Sequence, residues 1–149
     1  MEKKELASIL SEVLVPIGFK KKGDYWVING DVLTKMVNLQ KSKFSNCFYI
    51  NYGYILKSIP LDSLMMHIFK GLGSLDKAEN TRIQELLNLE NNISNENRAK
   101  ELKKFLLEKL VVNFQAINTE EDLLTELKNR PHLNDIPLVV KKHFSLLAE

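Results

Sequence analysis

Hydrophobic and polar positions follow two different periods along the chain. From Glu2 to Ile17, apolar Leu6, Ile9, Leu10, Val13 and Leu14 recur every three or four residues, which predicts an amphipathic helix closed by Pro16 and Gly18. Phe19 opens an extended stretch, and three strand-like segments follow. Tyr25–Ile28 is aromatic and branched, and Asn29-Gly30-Asp31 after it is a turn signal because Asn-Gly readily takes positive φ. Val32–Gln40 completes the predicted hairpin, Lys41–Asn46 is a polar connection, and Phe48–Leu56 is a third strand. Leu61–Leu72 fits a short helix or a fourth strand and is assigned to strand.

From Asp76 onward the period is helical. Asp76 with Glu79 forms a capping pair that opens a helix to about Leu89, its buried face carrying Ile83, Leu86 and Leu87. After a polar break at Asn91–Asn95, a long helix is expected from Glu96 to Ile117. Its stripe of Leu102, Phe105, Leu106, Leu110, Phe114 and Ile117 is widened by Leu107, Val111 and Val112, as for a helix buried on more than one side. Thr119 and Asp122 cap the next helix, which buries Leu123, Leu124 and Leu127 before Pro131 closes it. Pro137 enters a last helix over Ile136–Leu147. The expected fold is one α+β domain over residues 1–149: a small antiparallel sheet of three to four strands, with about five helices packed mainly on one face.

Strand parity adds a candidate surface. Leu33, Val37 and Leu39 share one face of the second strand, and Asn38 and Gln40 the other; in the third strand Phe48, Ile50, Tyr52 and Tyr54 oppose Tyr49, Asn51 and Gly53. With the apolar sets against the helices, Asn38, Gln40, Tyr49 and Asn51 would line one exposed polar surface, suited to recognition by hydrogen bonding and equally to a plain solvated sheet face.

Composition narrows the chemistry. Among 149 residues, 44% are apolar and 27% charged, and the net charge is +2, so neither a basic polymer nor an acidic solvating tail is present. Residues 1–60 hold nine lysines against five acids, net +4; residues 61–149 are net −2. The lysines of the first part, Lys20, Lys21, Lys22, Lys41 and Lys43, lie among Phe19, Tyr25, Trp26, Phe44 and Tyr49. Such interleaving suits single-stranded nucleic acid, through phosphate contacts and stacking. It also suits lysines guarding sheet edges beside a core of aromatics. The single cysteine, Cys47, allows no internal disulfide and points to a reducing, cytoplasmic setting. No signal peptide or membrane-length apolar run is evident.

No catalytic motif emerges. Cys47 lies in a strand-like run and reads as packing rather than as a nucleophile. His67, His132 and His143 lack metal-ligand spacing, so no metal and no cofactor are expected. Gly71-Leu72-Gly73-Ser74-Leu75-Asp76 lacks the third glycine and the Lys-Ser/Thr of a phosphate loop and reads as a turn capped by Asp76. Glu120, Glu121 and Asp122 suit the first turn of a helix.

The runs Gly18-Phe19-Lys20-Lys21-Lys22-Gly23, Val37-Asn38-Leu39-Gln40-Lys41-Ser42-Lys43 and Phe48-Tyr49-Ile50-Asn51-Tyr52-Gly53 resemble the bacterial family called domain of unknown function 4304. The stretches His67–Leu75 and Leu133–Pro137 also fit. The resemblance implies a small bacterial cytosolic α+β protein and assigns no catalytic residue. It draws attention to Asn38, Gln40, Ser42 and Asn51.

Three functional readings remain open from the sequence. The first is a non-enzymatic module of regulatory or immunity type that binds another protein through Lys20, Lys21, Lys22, Asn38, Gln40, Ser42, Tyr49 and Asn51. The second is single-stranded nucleic-acid binding by the lysine and aromatic region. The third is an enzyme whose site is assembled from scattered residues such as Tyr49, His67, Ser42 and Asp76.

Overall fold

The computed structural model describes residues 1–146. Its elements in chain order are α1 (Lys3–Leu14), β1 (Lys20–Lys22), β2 (Tyr25–Asn29), β3 (Leu33–Lys41), β4 (Phe48–Leu56), β5 (Ile68–Gly71), α2 (Lys77–Leu87), α3 (Asn95–Phe105), α4 (Val112–Ala116), α5 (Glu120–Lys128) and α6 (Leu138–His143). A π turn over Leu106–Val111 fuses α3 and α4 into one continuous rod, so the sheet is accompanied by five helical rods among the described residues. The sheet is an antiparallel meander in the order β1-β2-β3-β4-β5. The α+β class therefore holds, with five strands rather than three to four. Leu147, the expected end of the last helix, lies outside the described residues.

The extra strand is β1. Its three lysines show no alternation, yet Lys20, Lys21 and Lys22 pair with Val27, Trp26 and Tyr25. Gly23 makes this possible, turning the chain at a φ of +61° that suits glycine. The Lys21 ammonium sits 5.6 Å from the Trp26 ring centroid. A short lysine-rich edge discourages pairing with another sheet. The turn between β2 and β3 falls where expected, for a different reason: neither Asn29 nor Gly30 has positive φ. A Cβ on Gly30 would instead lie 2.6 Å from the Leu33 carbonyl oxygen. Of Leu61–Leu72, only Ile68–Gly71 is strand; the preceding loop packs Met66 and His67 into the interior.

The capping pairs act as expected. Asp76 accepts from the Glu79 N–H to start α2, and Thr119 and Asp122 form a capping box on α5. The central rod differs in one respect, because Leu107 and Val112 point to solvent. The π turn shifts the helical phase, so the buried stripe passes through Leu106, Leu110, Val111 and Phe114 without them.

All the rods that bond to the sheet through side chains do so on one face. Trp26 Nε1 donates to Ser11 Oγ at 3.0 Å. Tyr54 Oη donates to Asn113 Oδ1 at 2.7 Å, and Lys35 Nζ donates to the Phe114 carbonyl at 2.6 Å. Phe114 lies at the centre, with its ring 5.1, 5.8 and 5.5 Å from those of Phe19, Tyr52 and Tyr54. Burial lowers the pKa of the Lys35 ammonium. No helix among the described residues is long and apolar enough to cross a membrane.

Candidate binding surface

The strand register fixes the opposite face in rows. Lys22, Tyr25, Asn38, Asn51 and Gly71 form one row across the sheet, and Lys20, Val27, Met36, Gly53 and Phe69 the next. Asn29, Thr34 and Ile55 lie beyond them, and Gln40 pairs with Tyr49 on the other side. Among the described residues, no side chain of this face hydrogen-bonds to a helix. The five strands contain six lysines and no carboxylate, so an incoming partner meets no negative side chain from the sheet itself. The exposed aromatics are Tyr49, 53% accessible, and Phe69, 45% accessible.

Asn38, Gln40, Tyr49 and Asn51 do share this face, but not as four exposed groups. Asn38 and Asn51 are only 7% and 9% accessible. Asn51 Nδ2 donates to Asn38 Oδ1 at 3.2 Å and to Gln40 Oε1 at 3.0 Å, while Asn38 Nδ2 reaches the Asp24 carbonyl at 3.4 Å. Cross-strand amides placed opposite one another satisfy each other rather than a partner. Gln40 and Tyr49 are left as the accessible pair. Replacing Asn51 by alanine removes the donor shared by two acceptors. It is expected to cost about 1–2 kcal/mol, read as a lower urea midpoint with an unchanged slope.

The other expected site residues have separate places. Lys20 and Lys22 project from the edge strand onto the open face, and Lys21 lies on the helix side over Trp26. Ser42 sits in the β3–β4 connection, where its Oγ accepts from the Phe44 N–H and its own N–H bonds the Cys47 carbonyl. His67 is fully buried: Nδ1 accepts from the Leu56 N–H at 2.8 Å and Nε2 donates to the Pro60 carbonyl at 2.8 Å. Asp76 is engaged as an N-cap. Of the four residues considered for an assembled enzyme site, three thus serve local structure. The described residues contain no cluster of three metal-ligating side chains.

The open face continues into a groove of about 540 Å³ between the start of β4, the end of β5 and α2. Tyr49 and Asn51 form one wall, Asn80, Thr81, Gln84 and Asn88 the other, and Ile83 and Leu87 reach its apolar base. The α2 wall is readable in part: positions 80, 81 and 84 fall on one helical face and carry two amides and a hydroxyl, next to Glu85, and Asn88 follows as the C-cap. Arg98 holds the far end of this wall. It is buried, with Nη1 donating to the Leu86 and Asn88 carbonyls and Nη2 to the Asn91 carbonyl at 3.0 Å.

No curated protein and no solved structure matches the chain. The model of the family described as domain of unknown function (DUF4304) matches residues 10–129, a span that takes in the whole sheet, α2, both walls of the groove and the central rod. The lysine edge, the amide row and the groove are therefore features of a chain that belongs to the DUF4304 family.

Proposed function

We propose that this protein is a non-enzymatic binding module, a single cytoplasmic α+β domain that docks another protein on its open sheet face in a regulatory or antagonist role. The observation that carries the reading is a sheet face without helix cover or carboxylate, bearing Tyr49, Phe69 and Gln40 as accessible anchors and Lys20 and Lys22 at one margin. Tyrosine and phenylalanine supply contact area at low entropic cost. Lysines at the margin favour an acidic partner surface and raise the association rate. The amides Asn38 and Asn51 serve as an internal brace that keeps the face rigid, and Ser42 does the same for the β3–β4 turn.

The test compares Tyr49→Ala/Phe69→Ala with the wild type in affinity capture from the native host, with melting temperatures measured in parallel. Both side chains are exposed, so the double variant is expected to keep its fold and to lose the captured partner at least tenfold. Lys20→Ala/Lys22→Ala is expected to weaken capture less and to flatten its dependence on salt. Equal recovery by all three proteins defeats the reading. A saturable, steeply salt-dependent anisotropy change with fluorescent oligo(dT) would replace it with single-strand binding on the same aromatics.

A further inference from the structure

A second concavity, about 660 Å³, opens on the helix side between the end of β5, the π turn and the segment joining α5 to α6. Lys70, Lys109, Arg130 and His132 line it, with Glu108 and Asp135 also present. Two of its cations are already committed. Lys70 Nζ donates to Glu126 Oε1 at 3.0 Å, and Lys109 Nζ donates to Glu79 Oε1 at 3.0 Å.

Arg130 differs. Its side chain is 14% accessible, yet the guanidinium makes no hydrogen bond among the described residues. The nearest carboxylate oxygens, Glu126 Oε2 and Asp135 Oδ2, both lie at 3.8 Å, beyond hydrogen-bonding reach. Glu126 accepts from Lys70 and Asn113 through Oε1, while its buried Oε2 has no hydrogen-bonded partner among the described residues and faces Arg130 across 3.8 Å without bonding it, so the guanidinium N–H groups stay unused. Beside the guanidinium, Tyr52 borders the same cleft, and its hydroxyl has no hydrogen-bonded partner among the described residues. Burial, and then the Glu126 carboxylate, push the Tyr52 pKa up, which keeps that hydroxyl a donor. A half-enclosed planar fork with unused N–H groups beside an unused phenol matches a group with two or more acceptor oxygens. Glu108 and Asp135 disfavour a polyanion, so the fit is to one compact charged group.

We propose that this cleft binds the carboxylate or phosphate group of a small molecule, seated on the Arg130 fork with the Tyr52 hydroxyl as its second donor. The π turn shapes one wall by turning Glu108 and Lys109 toward the cleft. The site is separate from the open sheet face and does not depend on the protein-docking reading.

The experiment is a titration of the ¹⁵N-labelled protein with sodium phosphate and, separately, sodium acetate, at constant ionic strength set with chloride. Saturable amide shifts are expected over residues 70–75 and 130–135, and the anion that saturates at lower concentration identifies the preferred group. Arg130→Lys keeps the charge but loses the fork, and is expected to weaken binding about tenfold or more. Tyr52→Phe keeps the ring packing and is expected to weaken it several-fold, with the rest of the spectrum unchanged, which separates lost binding from lost folding. Linear, unsaturated shifts with both anions, or wild-type affinity in Tyr52→Phe, would overturn the assignment.

Discussion

Arg98→Met is expected to lower stability by about 3 kcal/mol, from the cost of leaving several buried carbonyls unpaired. For a chain of this length that is a drop of roughly 6–12 °C in Tm. Arg98 is 1% accessible and has no carboxylate partner among the described residues. Its guanidinium instead gathers the carbonyls of Leu86, Asn88 and Asn91, at the C-terminal end of α2 and the turn after it. These are groups a helix end leaves unsatisfied, and the helix dipole places partial negative charge there. Burial, and then repulsion from Arg82, lower the Arg98 pKa, so the carbonyls carry the cost of holding a charge out of water. Methionine fills a similar volume and offers no donor, which isolates the hydrogen-bonding contribution. Arg98→Lys is expected to fall between the two, because one ammonium cannot span three carbonyls. Urea unfolding followed by circular dichroism is the measurement; a loss below about 1 kcal/mol would mean that water satisfies those carbonyls. Asn88 and Asn91 also border the groove, so the same variant is expected to increase hydrogen exchange along its α2 wall.

Much of this architecture is visible in residue patterns because it rests on local rules. The stripe Leu6, Ile9, Leu10, Val13 and Leu14 is α1, the Asp76–Glu79 and Thr119–Asp122 pairs are real caps, and strand parity places Asn38, Gln40, Tyr49 and Asn51 on one face. What escapes is set by tertiary partners. Lys20-Lys21-Lys22 carries no strand period and becomes a strand because β2 offers it an edge. Arg98 looks like any solvated helix residue until the end of α2 folds over it, since buried arginine is rare and its acceptors are backbone atoms with no sequence signature. Parity assigns Asn38 and Asn51 a face but says nothing of their accessibility, which depends on their bonding each other. The Arg130–Tyr52 cleft joins β4, β5, the π turn and the chain beyond α5, so no single spacing encodes it.

Gly53→Ala is expected to cost about 2–3 kcal/mol by overpacking, although β4 around it is regular strand. Its φ is not in the left-handed region, so alanine meets no conformational penalty there. The obstacle is space: a Cβ would sit 1.9 Å from the Ile68 carbonyl oxygen and 2.7 Å from the Phe69 Cα. Both are backbone atoms of the neighbouring strand, so no side chain can rotate away and β5 itself must move. Only four residues hold β5 to β4, helped by the Leu72 N–H to the Ile50 carbonyl and the His67 N–H to the Tyr54 carbonyl. The damage is therefore expected to be confined to this strand, with exchange protection lost over residues 67–72 while the β2–β3 hairpin keeps its protection. Gly71 supplies the control, because a Cβ there meets nothing within 4 Å and its φ is also outside the left-handed region. Gly71→Ala is expected to change stability by less than about 1 kcal/mol. β5 carries Phe69 on the open face and Lys70 beside the Arg130 cleft. Displacing it by one methyl group should therefore impair partner docking and anion binding together, whereas Tyr49→Ala and Tyr52→Phe each affect one alone.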